Sequence, residues 1–116
     1  MLVDIKERLQ RRRNLREIDA MTDADLDDIG LSRGVLSDLV STDGAVIARQ
    51  MEMAWRHGVT DRVFGIARQD YASIVARCRT CGAASDCATF LADPSRPVAE
   101  ATFCPNAAAY RDLAAE

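Results

Sequence analysis

The sequence predicts an all-α protein: a small bundle of about five to six short helices, with the C-terminal helices stapled together by a four-cysteine site. Apolar residues recur at spacings of mostly three and four along much of the chain, which is the pattern of amphipathic helices. No segment shows the period of two that is typical of a strand. Capping residues and glycines separate the apolar segments, so we expect short turns between the helices.

The N-terminal elements are predicted from an apolar stripe and from capping signals. Residues 2–18 carry an imperfect helical stripe flanked by arginines. Thr22 with Asp25 resembles the start of a capping box, and Gly30 can end that short helix in a left-handed conformation. Ser32 can cap the next helix, and the Thr-Asp-Gly sequence at 42–44 breaks the chain again.

The C-terminal part is predicted to contain longer helices followed by loops and short helices. The break divides the chain into an arginine-rich segment, residues 1–41, and a cysteine-containing domain, residues 42–116. Met51, Met53 and Trp55 are expected to be core residues rather than the lining of a partner groove. The expected elements are helices over 45–57, 61–78, 87–92 and 106–115, with loops over 79–86 and 93–97.

Composition and charge exclude several classes of protein. Charged residues from Asp4 to Arg8 interrupt any secretory apolar segment, and no run approaches about 18 apolar residues, so we expect a cytoplasmic protein without a membrane span. The net charge of −3 argues against a general nucleic-acid-coating protein. No Ser/His/Asp set or glycine-rich phosphate loop is present, so we do not expect an enzyme.

Four cysteines follow the pattern C-x2-C-x5-C-x16-C, a spacing typical of metal ligands. In a reducing cytosol, clustered thiols are not expected to form stable disulfides. Helix N-termini and the neighbouring arginines would favour the thiolate form. His57, the single histidine, is expected to be a surface residue rather than a ligand. The predicted metal ligands are Cys78, Cys81, Cys87 and Cys104.

The identity of the metal group stays open between one zinc ion and one [4Fe–4S] cluster, since four thiolates suit both. The C-x2-C-x5-C part resembles the cluster loop of endonuclease III-like DNA glycosylases, which implies cluster ligation by Cys78, Cys81 and Cys87; the glycosylase catalytic domain is absent. Disulfides or free thiols are a further alternative. A catalytic C-x-x-C redox pair is the last alternative, but the sequence lacks the βαβ unit in which thioredoxin-like sites occur.

A basic block occupies the predicted first helix. Six basic residues lie between Lys6 and Arg16, and six acidic residues without a basic one follow from Glu17 to Asp28. The block can contact RNA phosphates or a protein partner, or it can be a solvated face that pairs with the acidic stretch. Duplex DNA is not the expected partner, because the helix after Ser32 offers few basic or amide side chains. The candidate RNA- or partner-binding residues are Arg8, Arg11, Arg12, Arg13 and Arg16.

Residues 10–40 resemble the YjiS-like family of short, arginine-rich bacterial proteins. The matching positions include the D-I-G-L-S-R sequence from Asp28 to Arg33, together with Leu15, Thr22, Asp23 and Leu26. The resemblance implies RNA-associated regulation and brings no catalytic residues. The C-terminal half, with its cysteines and the FCPNA sequence, resembles an uncharacterised family of small proteobacterial four-cysteine proteins. We therefore expect a metal-binding regulatory or adaptor protein, with a redox-active iron–sulfur protein, an oxidant sensor or electron carrier, as the alternative.

Overall fold

The computed structural model describes residues 2–115, with side chains from Asp4 onward. Within these residues there are eight α-helices, one 3-10 turn and no strand, so the all-α prediction is confirmed, whereas five to six helices is too few. No helix among them is both long and apolar enough to cross a membrane. The helices are α1 (Leu2–Asp19), α2 (Asp23–Ile29), α3 (Arg33–Ser41), α4 (Gly44–Arg56), α5 (Asp61–Ile66), α6 (Arg68–Arg79), α7 (Ala84–Leu91) and α8 (Ala107–Ala115), and the 3-10 turn is Val98–Glu100.

The chain divides into two compact units, residues 1–42 and residues 43–116. In the N-terminal unit, α1 packs against α3. Arg33 of α3 fixes this packing, because its Nε donates to the Ile18 carbonyl at 3.3 Å and its Nη2 donates to the Met21 carbonyl. Ile18 and Leu31 are the buried apolar side chains of this unit. The arginine of the D-I-G-L-S-R sequence thus has a structural role at the end of α1.

The predicted caps of α2 and α3 are confirmed. Thr22 Oγ1 accepts from the Asp25 amide at 3.1 Å, and the Asp25 carboxylate accepts from the Thr22 amide at 3.0 Å. Two hydrogen bonds with Thr22 lower the pKa of Asp25. The bond with the Thr22 main chain has the larger effect, and the bond with the Thr22 side chain has the smaller one. Gly30 ends α2 with a φ of 81°, and Ser32 Oγ accepts from the Val35 amide at 3.1 Å. These short helices are therefore defined by local hydrogen bonds rather than by a buried face.

The C-terminal unit has one apolar core. Helix α4 packs against α6 and α7, and α5 packs against α6. Arg56, at the end of α4, donates to the carbonyls of Leu91 and Asp93 at 3.2 Å and lies 5.2 Å from the Phe90 ring centre, which anchors the end of α7. The buried core consists of Met53, Ala54, Val59, Phe64, Ile74, Phe90, Ala101, Tyr110 and Leu113.

Three expectations for the C-terminal unit are wrong in detail. The helix predicted over 61–78 is broken at Ala67, which has a φ of −93° and a ψ of 60°, so that it forms α5 and α6. Gly65 weakens the helix beside the break, and Phe64 and Tyr71 pack across it with ring centres 5.0 Å apart. Helix α7 begins at Ala84, inside the expected loop. Trp55 is 69% exposed, because it follows Met53 by two residues and lies almost opposite it on α4.

Replacement of Gly30 by alanine is expected to destabilise the N-terminal unit by about 1 kcal/mol, because a side chain disfavours a positive φ. The added methyl group would meet nothing within 4 Å, so the loss comes from the backbone alone. Gly34, which lies inside α3 in equally open space, is the matched control: Gly34→Ala should stabilise by up to about 1 kcal/mol. Amide hydrogen exchange in α1–α3 measures both changes, and effects of the same sign would contradict this account.

Candidate metal centre

The four cysteines lie at the ends and turns of the last helices. Cys78 is in the last turn of α6, and Cys81 follows in the turn where its amide donates to the Cys78 carbonyl at 3.3 Å. Cys87 is in α7, where its amide donates to the Ala83 carbonyl at 2.9 Å. Cys104 lies in the turn before α8, and its carbonyl accepts from the Ala107 amide at 3.2 Å. Local hydrogen bonds therefore fix the backbone at each cysteine.

All four cysteines line one pocket, although they come from four positions in the chain. Each is half-buried and none forms a disulfide. The cavity between them has a volume of about 20 Å³, room for roughly one water-sized group. Helix α4, which contains no cysteine, supplies part of the wall. The other lining residues are Arg49, Gln50, Met53, Phe103, Pro105 and Tyr110.

Burial keeps three of these thiols protonated to a higher pH than usual. It raises the pKa of Cys78 and Cys104, and it raises the pKa of Cys87 to about 11. Repulsion between neighbouring cysteines adds to the effect, because a second thiolate in the same pocket disfavours the first. The Arg49 guanidinium acts in the opposite direction on Cys78 and Cys87. Binding of a cation would therefore have to displace protons from this pocket.

Two N–H groups already donate to sulfur. The Ala83 amide donates to Cys81 Sγ at 3.3 Å, and the Asn106 side-chain amide donates to Cys78 Sγ at 3.3 Å. Asn106 is fully buried, also donates to the Ile74 carbonyl at 3.0 Å and accepts from Arg77 at 3.1 Å. All its side-chain groups are therefore paired, and it joins the start of α8 to the end of α6 beside Cys78.

The donor set fits a thiolate-bound metal, but the sulfur atoms do not yet meet at one point. Within residues 2–115, no three side chains of His, Cys, Asp or Glu are arranged to hold a single ion. The structure thus shows a shared pocket, and the stapling of the C-terminal helices by a formed four-cysteine site stays a prediction. Zn–S bonds of about 2.3 Å would require the short cysteine side chains to turn inward.

His57 lies apart from the sulfur atoms. It is not among the residues that line the cysteine pocket. Its Nδ1 lies 3.0 Å from the Met53 carbonyl, and its ring centre is 5.0 Å from that of Tyr110. His57 is half-buried, and the expectation that it is not a ligand stays a prediction.

The wall residues were missed by the sequence analysis. Asn106 had a signal in its position two residues after Cys104, since polar groups near a metal ligand often hydrogen-bond to it. Arg49 and Gln50 had none, because α4 precedes the first cysteine by about thirty residues and reaches the pocket only through tertiary packing.

The five candidate arginines lie in the other unit, on α1, and have no part in the cysteine pocket. Arg8, Arg12, Arg13 and Arg16 are exposed, and Arg11 is half-buried. In the part of the chain that the structure describes, the salt bridge found within 4.0 Å is that between Arg96 and Glu100. The acidic stretch after residue 17 therefore does not neutralise the block by ion pairs.

Two family models match the two parts of the chain. The model of a family of unknown function (DUF6455) matches residues 45–116, which include α4–α8 and all four cysteines. The chain belongs to this family. A YjiS-like domain model matches residues 5–34, so the resemblance of the N-terminal part to the YjiS-like family and that of the C-terminal half to an uncharacterised family are confirmed. Neither the curated proteins nor the solved structures give a match. The DUF6455 region thus coincides with the unit that contains the cysteine pocket.

The metal-free protein is expected to lose stability as the pH rises from about 9 towards 11. A thiol whose pKa is higher in the folded state than in the unfolded chain favours folding below the unfolded pKa, and this contribution disappears as the pH passes the folded pKa. Cys87, with a pKa of about 11, sets the upper end of this window. Urea unfolding in chelator and reductant measures the effect. Cys87→Ala should flatten the pH dependence; an unchanged slope would contradict the assignment to this thiol.

Proposed function

We propose that the protein is a small metal-binding regulatory or adaptor protein whose Cys78, Cys81, Cys87 and Cys104 thiolates hold one zinc ion. The observation that carries this proposal is the single pocket that all four cysteines line. Four thiolates form a closed structural zinc site, and the cavity of about 20 Å³ has room for one ion. The centre would act as a staple of the fold, without catalysis.

The surroundings of the sulfur atoms support a negatively charged centre. Zinc with four thiolates carries a formal charge of about −2, which needs hydrogen-bond donors or cations around it. The Ala83 amide and the Asn106 side chain donate to two of the sulfurs, and the Arg49 guanidinium offsets part of the rise that burial causes in the pKa of Cys78 and Cys87. These groups stabilise thiolates more than thiols, so metal binding would use them fully.

The position of the ligands explains why a metal would stabilise this unit. The sulfurs come from α6, the turn after it, α7 and the turn before α8. One ion would cross-link the segment between residues 78 and 104. The helix in this segment, α7, is only eight residues long. Because metal binding to a set of ligands that is absent in the unfolded chain adds to folding free energy, the loaded unit is the more stable one.

A redox-active iron–sulfur protein, acting as an oxidant sensor or electron carrier, is the second candidate. The observation that favours it is an open groove of about 310 Å³ that shares Cys81, Phe103 and Pro105 with the cysteine pocket. Through this groove an electron partner or an oxidant can approach Cys81. A [4Fe–4S] cluster would be held by the same four cysteines, and the turns that carry Cys81 and Cys104 would move outward to admit it.

The N-terminal unit is proposed to supply the contact with a partner. The exposed arginines of α1 present cationic groups without ion-pair partners in the described residues, and such groups bind RNA phosphates or an acidic protein surface. Duplex DNA is not proposed, since α3 presents few base-reading side chains. We propose a binding role in the cytoplasm rather than an enzymatic one.

Protein purified without oxygen is expected to be colourless and to contain about one zinc per chain. Cys81→Ser should lower metal content and the melting temperature of the loaded protein. It should leave the melting temperature of the metal-free protein almost unchanged, because a serine hydroxyl can still accept from the Ala83 amide, whereas the metal needs the thiolate. Ser85→Ala, an exposed change between two cysteines, is the control.

Elemental analysis and thermal unfolding with and without chelator measure these effects. If the purified protein is brown and dithionite bleaches it, the zinc proposal is wrong and the iron–sulfur alternative takes its place. Freely titrating thiols without any metal would refute the metal centre.

Replacement of Arg11, Arg12 and Arg13 by alanine is expected to weaken RNA binding and to flatten its salt dependence, because fewer counterions are released. Arg62, Arg68 and Arg111 are exposed in the C-terminal unit, so their triple alanine variant loses the same charge elsewhere. Filter binding to a single-stranded RNA at several salt concentrations compares the two. Equal losses of RNA affinity in both variants would show a general charge effect. If the unchanged protein does not bind RNA, the RNA proposal is wrong and a protein is the proposed partner of this helix.

A further inference from the structure

Gln50 is a buried polar side chain in the wall of the cysteine pocket. It is 1% exposed and lies on α4, next to Arg49 and one turn before Met53, all three of which line the pocket. Its Oε1 has no hydrogen-bond partner and is the one buried side-chain oxygen or nitrogen in this state among the described residues. An unpaired buried carbonyl is unfavourable, so this orientation of the amide in the wall of the cysteine pocket has a cost that another orientation or a further partner would remove.

Tyr110 holds the other end of this amide. Gln50 Nε2 donates to the Tyr110 hydroxyl at 3.4 Å, and that hydroxyl donates to the Gln50 main-chain carbonyl at 3.4 Å. Both contacts are longer than the usual 2.9 Å of an N–H···O bond, so the amide is weakly held in this orientation. Tyr110 is fully buried and also lines the pocket. The pair therefore links α4 and α8 directly beside the sulfur atoms.

The two ends of a carboxamide have almost the same shape, so a half-turn of the group changes its hydrogen bonds without changing its packing. After such a turn, the Tyr110 hydroxyl donates its one hydrogen to Gln50 Oε1 instead of to the Gln50 main-chain carbonyl, and the NH2 group occupies the position that is now unpaired. Metal-bound thiolates only accept hydrogen bonds. The turned amide would thus satisfy both of its ends once the sulfurs bind a metal.

A second amide in the same pocket already has this role. Asn106 donates from its side-chain nitrogen to Cys78 Sγ at 3.3 Å, while its oxygen accepts from Arg77 at 3.1 Å. We propose that Gln50 is a positioning residue of the zinc–thiolate centre, with its oxygen anchored by Tyr110 and its NH2 group donating to the metal-bound sulfurs. The inference rests on the proposed function, because it needs a metal-loaded form.

The test compares Gln50→Leu with Gln69→Leu, an exposed change on α6. The leucine at position 50 keeps the volume and removes the donor, so the affinity for Zn²⁺ should fall about tenfold or more. The melting temperature of the metal-free variant should stay equal or rise, because an unpaired polar atom is removed. The sulfur-to-metal charge-transfer band of the Co²⁺-loaded protein should shift in Gln50→Leu only. A competing chelator, thermal unfolding and absorption spectroscopy give the three measurements.

A second variant protects the test from a folding defect. Tyr110→Phe removes the anchor and keeps the donor, so it should lower Zn²⁺ affinity in the same direction by a smaller factor. If Gln50→Leu folds and binds Zn²⁺ and Co²⁺ as the unchanged protein does, the role of Gln50 is refuted while the metal centre stands. If the unchanged protein binds neither ion, the proposed function itself fails.

Discussion

Four sulfur atoms that repel one another when ionised share one half-buried pocket, and the C-terminal unit is arranged around this constraint. Burial and mutual repulsion raise the pKa of Cys78, Cys87 and Cys104, so the metal-free pocket favours thiols. The wall has the opposite chemistry, because Arg49 and Asn106 both favour thiolates at Cys78. In the proposed metal centre, a bound cation would remove this conflict, since it would supply the positive charge that the thiolates need. The pocket itself combines burial and repulsion, which oppose ionisation of the thiols, with wall groups that favour it.

The features that the sequence predicted well are those decided by neighbouring residues. The capping box of Thr22 and Asp25 and the left-handed Gly30 depend on local hydrogen bonds and backbone conformation, and both are found where expected. Helix α4 ends at Arg56, one residue before the expected end. The features that it missed depend on distant residues. The break at Ala67 allows Phe64 to enter the core, and the exposure of Trp55 follows from which face of α4 meets α6 and α7. Neither can be obtained from periodicity alone.

The candidate site divides in the same way. The cysteine spacing was sufficient to predict that the four cysteines lie in one group, and the structure brings all four to one pocket. The spacing could not reveal that α4 closes that pocket with Arg49 and Gln50, because these residues are far from the cysteines in sequence. The same limit applies to α1. Its arginines were visible as a block, whereas their lack of ion-pair partners among the described residues is a property of the folded unit.

The position of Cys81 makes the proposed centre asymmetric. Cys81 lines both the cysteine pocket and the open groove. The other three cysteines, Cys78, Cys87 and Cys104, line the cysteine pocket but not the groove. In a zinc centre, a chelator or an oxidant would therefore meet the Cys81 sulfur first, and loss of that ligand would leave three thiolates still held by α6, α7 and the turn before α8. In a cluster, the same edge would be the route for an electron. The two chemistries thus share the one cysteine that also lines the open groove. In the proposed centre, the identity of the metal would decide whether this access is a weakness of a structural staple or the working surface of a redox protein.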